Sequence, residues 1–163
     1  MDPETYNELI EDLKVGQVNL TTSRARAHAA WLDFDTCSTD VEFEVLDYEP
    51  LGDDGTEFMV VTRATLSFRF DRDLENFDEG DSAGYVAAEH TVYYRSSVPI
   101  TDEIFEVFAD GNVQFHVWPF VREYVQDVTR RFGWPNFTLP TFVSSNDESS
   151  DDASTNENSA GED

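Results

Sequence analysis

Residues 117–142 read VWPFVREYVQDVTRRFGWPNFTLPTF, and they join two kinds of chain. Val117, Phe120, Tyr124 and Val128 recur at three- and four-residue intervals and share one face of a helix, with Arg122, Gln126, Thr129 and Arg130 on the others. Pro119, with a fixed φ and no amide hydrogen, suits the first helical position, and Gly133 followed by Pro135 marks the stop. Asp127 and Arg131, four apart, support the helix. The segment beyond Gly133 is dense in aromatics and proline and has no helical period.

Working outward from that helix, the preceding stretches alternate with a period of two. From Gln17 to Trp31, Val18, Leu20, Thr22, Arg24, Arg26 and His28 fall on one side, opposite a face of mostly small residues. Gly16 is read as the end of a short amphipathic helix over 3–13, whose apolar positions are Tyr6, Leu9, Ile10 and Leu13. Val41–Tyr48 makes a second strand, and Pro50 to Gly55 a turn. Glu57–Phe70 is the clearest strand: Phe58, Val60, Thr62, Ala64, Leu66, Phe68 and Phe70 face one way, Met59, Val61 and Arg63 the other. Tyr85–Ser97 supplies a fourth strand. Thr101 caps a brief helix that buries Ile104, Phe105 and Phe108, ended by Asp110 and Gly111. Four strands followed by helices give an α+β fold, a four-stranded antiparallel sheet with helices packed on one face.

The aromatic segment carries a resemblance. PFVREYVQDV followed by RRFGWPNFTLPTF resembles the SecB family of protein-export chaperones, above all its short members tied to toxin–antitoxin pairs. The family opens its main helix with Pro and an aromatic, and follows it with a segment matched here by Pro135, Phe137 and Leu139. The resemblance implies a holdase, an ATP-independent chaperone for unfolded polypeptide, in export or for a dedicated client such as an antitoxin. Residues 1–15 are then an N-terminal helix, 16–143 the SecB-like domain and 144–163 a disordered acidic tail. The expected polypeptide-binding residues are Trp31, Phe34, Met59, Val61, Trp134, Phe137, Leu139 and Phe142. Among them the core competes most strongly for Phe137 and Leu139, whereas Trp134 and Phe142 are read as facing the groove. Trp31, just before the connection over 32–40, and Phe34, within it, either plug the core or wall that groove. The family also implies a dimer or dimer of dimers through the first strand and the central helix, with Val18, Leu20, Thr22, Arg122 and Gln126 at the interface. One departure bears on function: about 20 polar, acidic residues stand where export chaperones carry a second helix and a tail for the translocase motor. That argues against motor docking and leaves a general or dedicated cytoplasmic holdase, such as one for an antitoxin.

Charge sets the remaining bounds. Thirty-five acidic against ten basic residues give −25, and removing the seven acids of residues 144–163 still leaves −18. Thirteen Phe, six Tyr and three Trp nevertheless provide for a core. Such acidity fits a cytoplasm of molar salt, where screening acts over about 3 Å, and it argues against nucleic-acid binding. Arg24 and Arg26, rare cations here, are expected to pair with carboxylates.

Catalytic signals are absent from the sequence. His28, His90 and His116 are scattered, Cys37 is single, and no phosphate loop or nucleophile elbow occurs, so neither enzyme activity nor a cofactor is expected. Asp71, Asp73 and Glu75 lack the glycine and glutamate positions of a calcium loop. No run of 18 apolar residues predicts membrane insertion. Rival readings from other classes are an acidic DNA mimic and a hotdog-like enzyme that binds a small ligand.

Overall fold

The computed structural model describes residues 3–70 and 82–141. The acidic loop with Asp71, Asp73 and Glu75, the residue Phe142 and the segment 144–163 lie outside the described residues. In chain order the elements are α1 (Pro3–Asp12), β1 (Lys14–Ala27), a 3₁₀ turn (Phe34–Thr36), β2 (Cys37–Leu51), β3 (Glu57–Phe70), β4 (Ser82–Arg95), α2 (Asp102–Phe108) and α3 (Gln114–Arg131). The strands form one antiparallel sheet in the order β1-β4-β3-β2. β2, β3 and β4 form a meander, and the connection 28–36 carries the chain from β1 across to β2 on the far edge, a Greek-key order.

Burial on β3 alternates residue by residue, because one sheet face is covered by helices and the other is open. Phe58, Val60, Thr62, Ala64, Leu66 and Phe68 point inward, with Val86, Val92 and Tyr94 of β4 beside them. Leu9 of α1, Ile104 and Phe108 of α2 and Val117, Val121, Val125 and Val128 of α3 close the same core. Each such apolar side chain contributes roughly 1.5–3 kcal/mol on burial. The β2–β3 turn uses Gly52 and Gly55 at φ of 77° and 65°, and Asp54 accepts hydrogen bonds from the Thr56 amide and hydroxyl.

Three sequence expectations are corrected here. Gly16 does not end α1; it lies within β1, where a Cβ would stand 3.1 Å from the Tyr93 carbonyl oxygen, so close approach to β4 is what requires glycine. Nor is β1 one continuous alternation. Its register shifts between Leu20 and Thr22, and that bulge exchanges the faces: Val18 and Leu20 pair with Val92 and His90 on the helix side, Thr22, Arg24 and Arg26 with Glu89, Ala87 and Tyr85 on the open side. Val18, Leu20 and Thr22 are thus not one patch.

The third concerns α3, which begins at Gln114 with Pro119 exposed inside it. The break comes earlier, at Asp110 and Gly111, where Gly111 takes a φ of 108° and lets the chain turn from α2 directly into α3. The buried stripe of α3 is Val117, Trp118, Val121, Val125, Val128 and Thr129, while Phe120 is 40% exposed. Gly133, at φ 76°, ends the helix as expected.

Candidate functional site

An aromatic cluster ties the 28–36 connection to the segment after α3. The connection starts with the His28 and Ala29 amides both donating to the Ala83 carbonyl, and it buries Leu32 completely. Asp33 then accepts the Asp35 amide and caps the short turn that carries Phe34. Phe137 stacks obliquely on Phe34 with centroids 4.7 Å apart, and both rings pack on Phe68. Trp134 stands edge-on to Phe68 and Phe132, and its indole N–H donates to the Ala29 carbonyl at 3.0 Å. Gly84 makes room for that indole: a Cβ there would lie 2.9 Å from Trp134 and 2.4 Å from the Arg26 carbonyl oxygen.

The eight expected polypeptide-contacting residues therefore separate. Trp31 is 66% exposed on the connection, Phe34 and Phe137 are half-buried within the cluster, and Trp134 and Leu139 are in the core at 4% and 2%. Trp134, read as facing a groove, is instead held inward by its bond to Ala29 and its seat over Gly84; Phe137, read as core, keeps part of its ring outside. Met59 and Val61 lie on the open face of the sheet, opposite the cluster. The C-terminal segment lies along one flank of α3 as a strap. Trp118 Nε1 donates to the Pro140 carbonyl, Arg122 Nε to the Leu139 carbonyl, and Gln126 and Arg130 to Asn136. Arg122 and Gln126 thus bond within the chain. The other flank borders a groove of about 310 Å³ between Val18, Leu20, Phe120 and Tyr124, with His90 at its base.

The open face is electrically polarised. Asp40, Glu42, Glu44, Asp47 and Glu49 project from β2, whereas Lys14, Arg24 and Arg26 project from β1 at the opposite edge. Arg63, Arg69 and Arg95 of the inner strands pair with Glu89, Asp40 and Glu57. The Arg63 guanidinium, as hydrogen-bond donor, is the largest influence holding the Glu89 carboxyl below the usual range. Contrary to the expectation for rare cations in so acidic a chain, Arg24 and Arg26 form no ion pair among the described residues, because register places Ala87 and Tyr85 beside them.

No family model and no curated protein matches this chain. Among solved structures, the SecB-like chaperone Rv1957 of Mycobacterium tuberculosis, in complex with a ChAD peptide from the Rv1956 HigA1 antitoxin, aligns over 86% of this chain and 98% of its own, with a TM-score of 0.70 and 20% identity. This chain has a SecB-like fold. A protein of unknown function from Streptococcus agalactiae aligns at a TM-score of 0.40 and 14% identity, over 79% of this chain and 97% of its own. The SecB-like sheet, crossover and long helix were legible as an outline in the sequence; the seat of Trp134 on Gly84 and the polarity of the open face were not. Among the described residues, no three His, Cys, Asp or Glu side chains are grouped to hold a metal, and no helix is long and apolar enough to cross a membrane.

Proposed function

We propose that this protein is an ATP-independent holdase that binds non-native polypeptide and serves a dedicated client, such as an antitoxin, in a salt-rich cytoplasm. The observation that carries the reading is an aromatic cluster left partly open: Phe34 and Phe137 stack with centroids 4.7 Å apart and are only half-buried, and Trp31, three residues before Phe34, is 66% exposed. Exposed indole and partly open phenyl rings contact many side chains without demanding one shape. The similarity to a chaperone solved with an antitoxin peptide supports a polypeptide occupant. Self-association belongs to the same proposal, through the groove-side flank of α3 and the Val18 and Leu20 side of β1, since Arg122 and Gln126 hold the C-terminal strap and Thr22 lies on the other face.

The test is suppression of aggregation of an unfolded reporter in molar KCl. The wild type protects, and a Trp31→Ala variant, whose exposed position leaves the core intact, protects about tenfold less per mole, as loss of a central aromatic contact predicts. Equal protection by both proteins would remove Trp31 from the site, and no protection by either would refute a general holdase.

A further inference from the structure

Arg24 and Arg26 are distinguished by what does not face them. With 35 acidic residues in the chain, a basic side chain on this sheet meets a carboxylate almost wherever it points, as Arg63, Arg69 and Arg95 do. Arg24 and Arg26 instead project over Ala87 and Tyr85, and among the described residues β1 is an edge strand with no further strand beyond it. Arg24 acts on Glu89 only as a neighbouring charge, and that carboxylate is already held by Arg63 at 2.7 Å and by Thr22. The small side chain of Ala87 leaves a depression of about 320 Å³ on the open face, lined by Arg24, Arg63, Tyr85 and the Glu89 carboxylate that Arg63 already holds, with Arg26 next along β1. With Glu89 neutralised by Arg63, the unpaired guanidinium groups of Arg24 at the depression and Arg26 beside it along β1 present a surface suited to an anion.

We propose that this depression and the stretch of β1 beside it anchor an extended acidic segment of a client polypeptide, with carboxylates two residues apart meeting Arg24 and Arg26. The proposal rests on the reading of the chain as a polypeptide-binding chaperone and names a class of sequence it takes. Alternate residues of an extended chain repeat every ~6.6 Å on one side, which is the spacing at which a strand presents Arg24 and Arg26. Charge polarity selects a short segment: a continuous polyanion laid across the sheet meets Asp40, Glu42, Glu44, Asp47 and Glu49 on the β2 side, whereas a peptide following β1 does not. In molar salt the long-range repulsion from the chain's net negative charge is screened, while a bidentate contact at hydrogen-bond distance persists.

Fluorescence polarisation on the full chain in molar KCl decides the matter, with a labelled peptide of alternating threonine and glutamate and its threonine–glutamine counterpart. The glutamate peptide binds about tenfold tighter, and an Arg24→Gln, Arg26→Gln variant of unchanged near-UV circular dichroism loses that tenfold advantage. Equal binding of the two peptides, or indifference to the arginines, overturns the proposal. Displacement of the glutamate peptide by millimolar inorganic phosphate overturns it as well, by showing a general anion site. Aggregation suppression measured in parallel keeps the two readings apart. Protection of the reporter without discrimination between the peptides sinks the anchor and spares the holdase; discrimination without protection does the reverse.

Discussion

His90 shows how one residue ties stability to pH. It points from β4 into the space between the sheet and α3, is 3% exposed, and its Nδ1 has no hydrogen-bond partner among the described residues. Leu20 faces it from β1, Thr62 donates to its carbonyl from β3, and Glu123, Tyr124 and Asp127 of α3 border the same groove. Burial lowers its pKa from the ordinary 6.5, and burial does the same to His116, whose Nδ1 lies 3.3 Å from the Tyr94 hydroxyl. The unfolded chain therefore binds protons at a higher pH than the native one, so stability falls as pH drops below 6.5 toward the folded-state pKa values. The urea midpoint in molar KCl should fall between about pH 7.5 and about pH 5.5, and less in a His90→Gln variant; an identical fall in both would show that His90 takes no part. At this scale the sequence was only partly legible. That His90 is structural follows from its isolation, but the orientation of Trp134 depends on Gly84 and the Ala29 carbonyl, which lie far upstream and announce nothing by themselves.

Elements were recognisable by period but not by phase. β3 reads correctly in full because the extra residues at its register shifts, Leu46 and Ala83, lie in the neighbouring strands and leave its own alternation unbroken. β1 misleads after Leu20, since a bulge needs no signature residue and yet exchanges every side chain beyond it. α3 offers two overlapping apolar stripes that share Val117 and Val128. The larger aromatics at Phe120 and Tyr124 draw attention, but Val121 and Val125 are the ones that fit against the sheet. The strap of residues 134–140 is the element least visible in sequence: it has no regular structure, and its carbonyls are satisfied by side chains of α3. Removing those donors in a Trp118→Phe, Arg122→Met variant keeps most of the packing volume and leaves two carbonyls without their partners. Hydrogen exchange should then accelerate over 134–141, with a global loss of about 1–3 kcal/mol. Unchanged exchange in that segment would mean that Leu139 and Trp134, through burial alone, hold it in place.

At the scale of the whole molecule, composition set the expectation of a real core, and the core is there, yet its charge is distributed in a way that composition does not reveal. The acidic side chains of β2 form a row on one edge of the open face, where Asp40 and Glu44 have arginine partners and Glu42 and Glu49 make no ion pair among the described residues. Exposed pairs of this kind are worth about 0–1 kcal/mol each, too little to offset the mutual repulsion of a chain at −25 in dilute buffer. Screening at molar salt shortens the reach of that repulsion to about 3 Å while leaving the buried apolar contacts in place. The melting temperature should therefore rise by about 5–10 °C from low to molar KCl, a gain of roughly 2 kcal/mol for a domain of this size. A Glu42→Gln, Glu49→Gln variant separates screening from a general salt effect on apolar burial. If repulsion along β2 is the cause, neutralising those two carboxylates raises stability at low salt and adds little in molar KCl. A variant that follows the wild-type curve at every salt concentration would assign the salt dependence to the hydrophobic core instead.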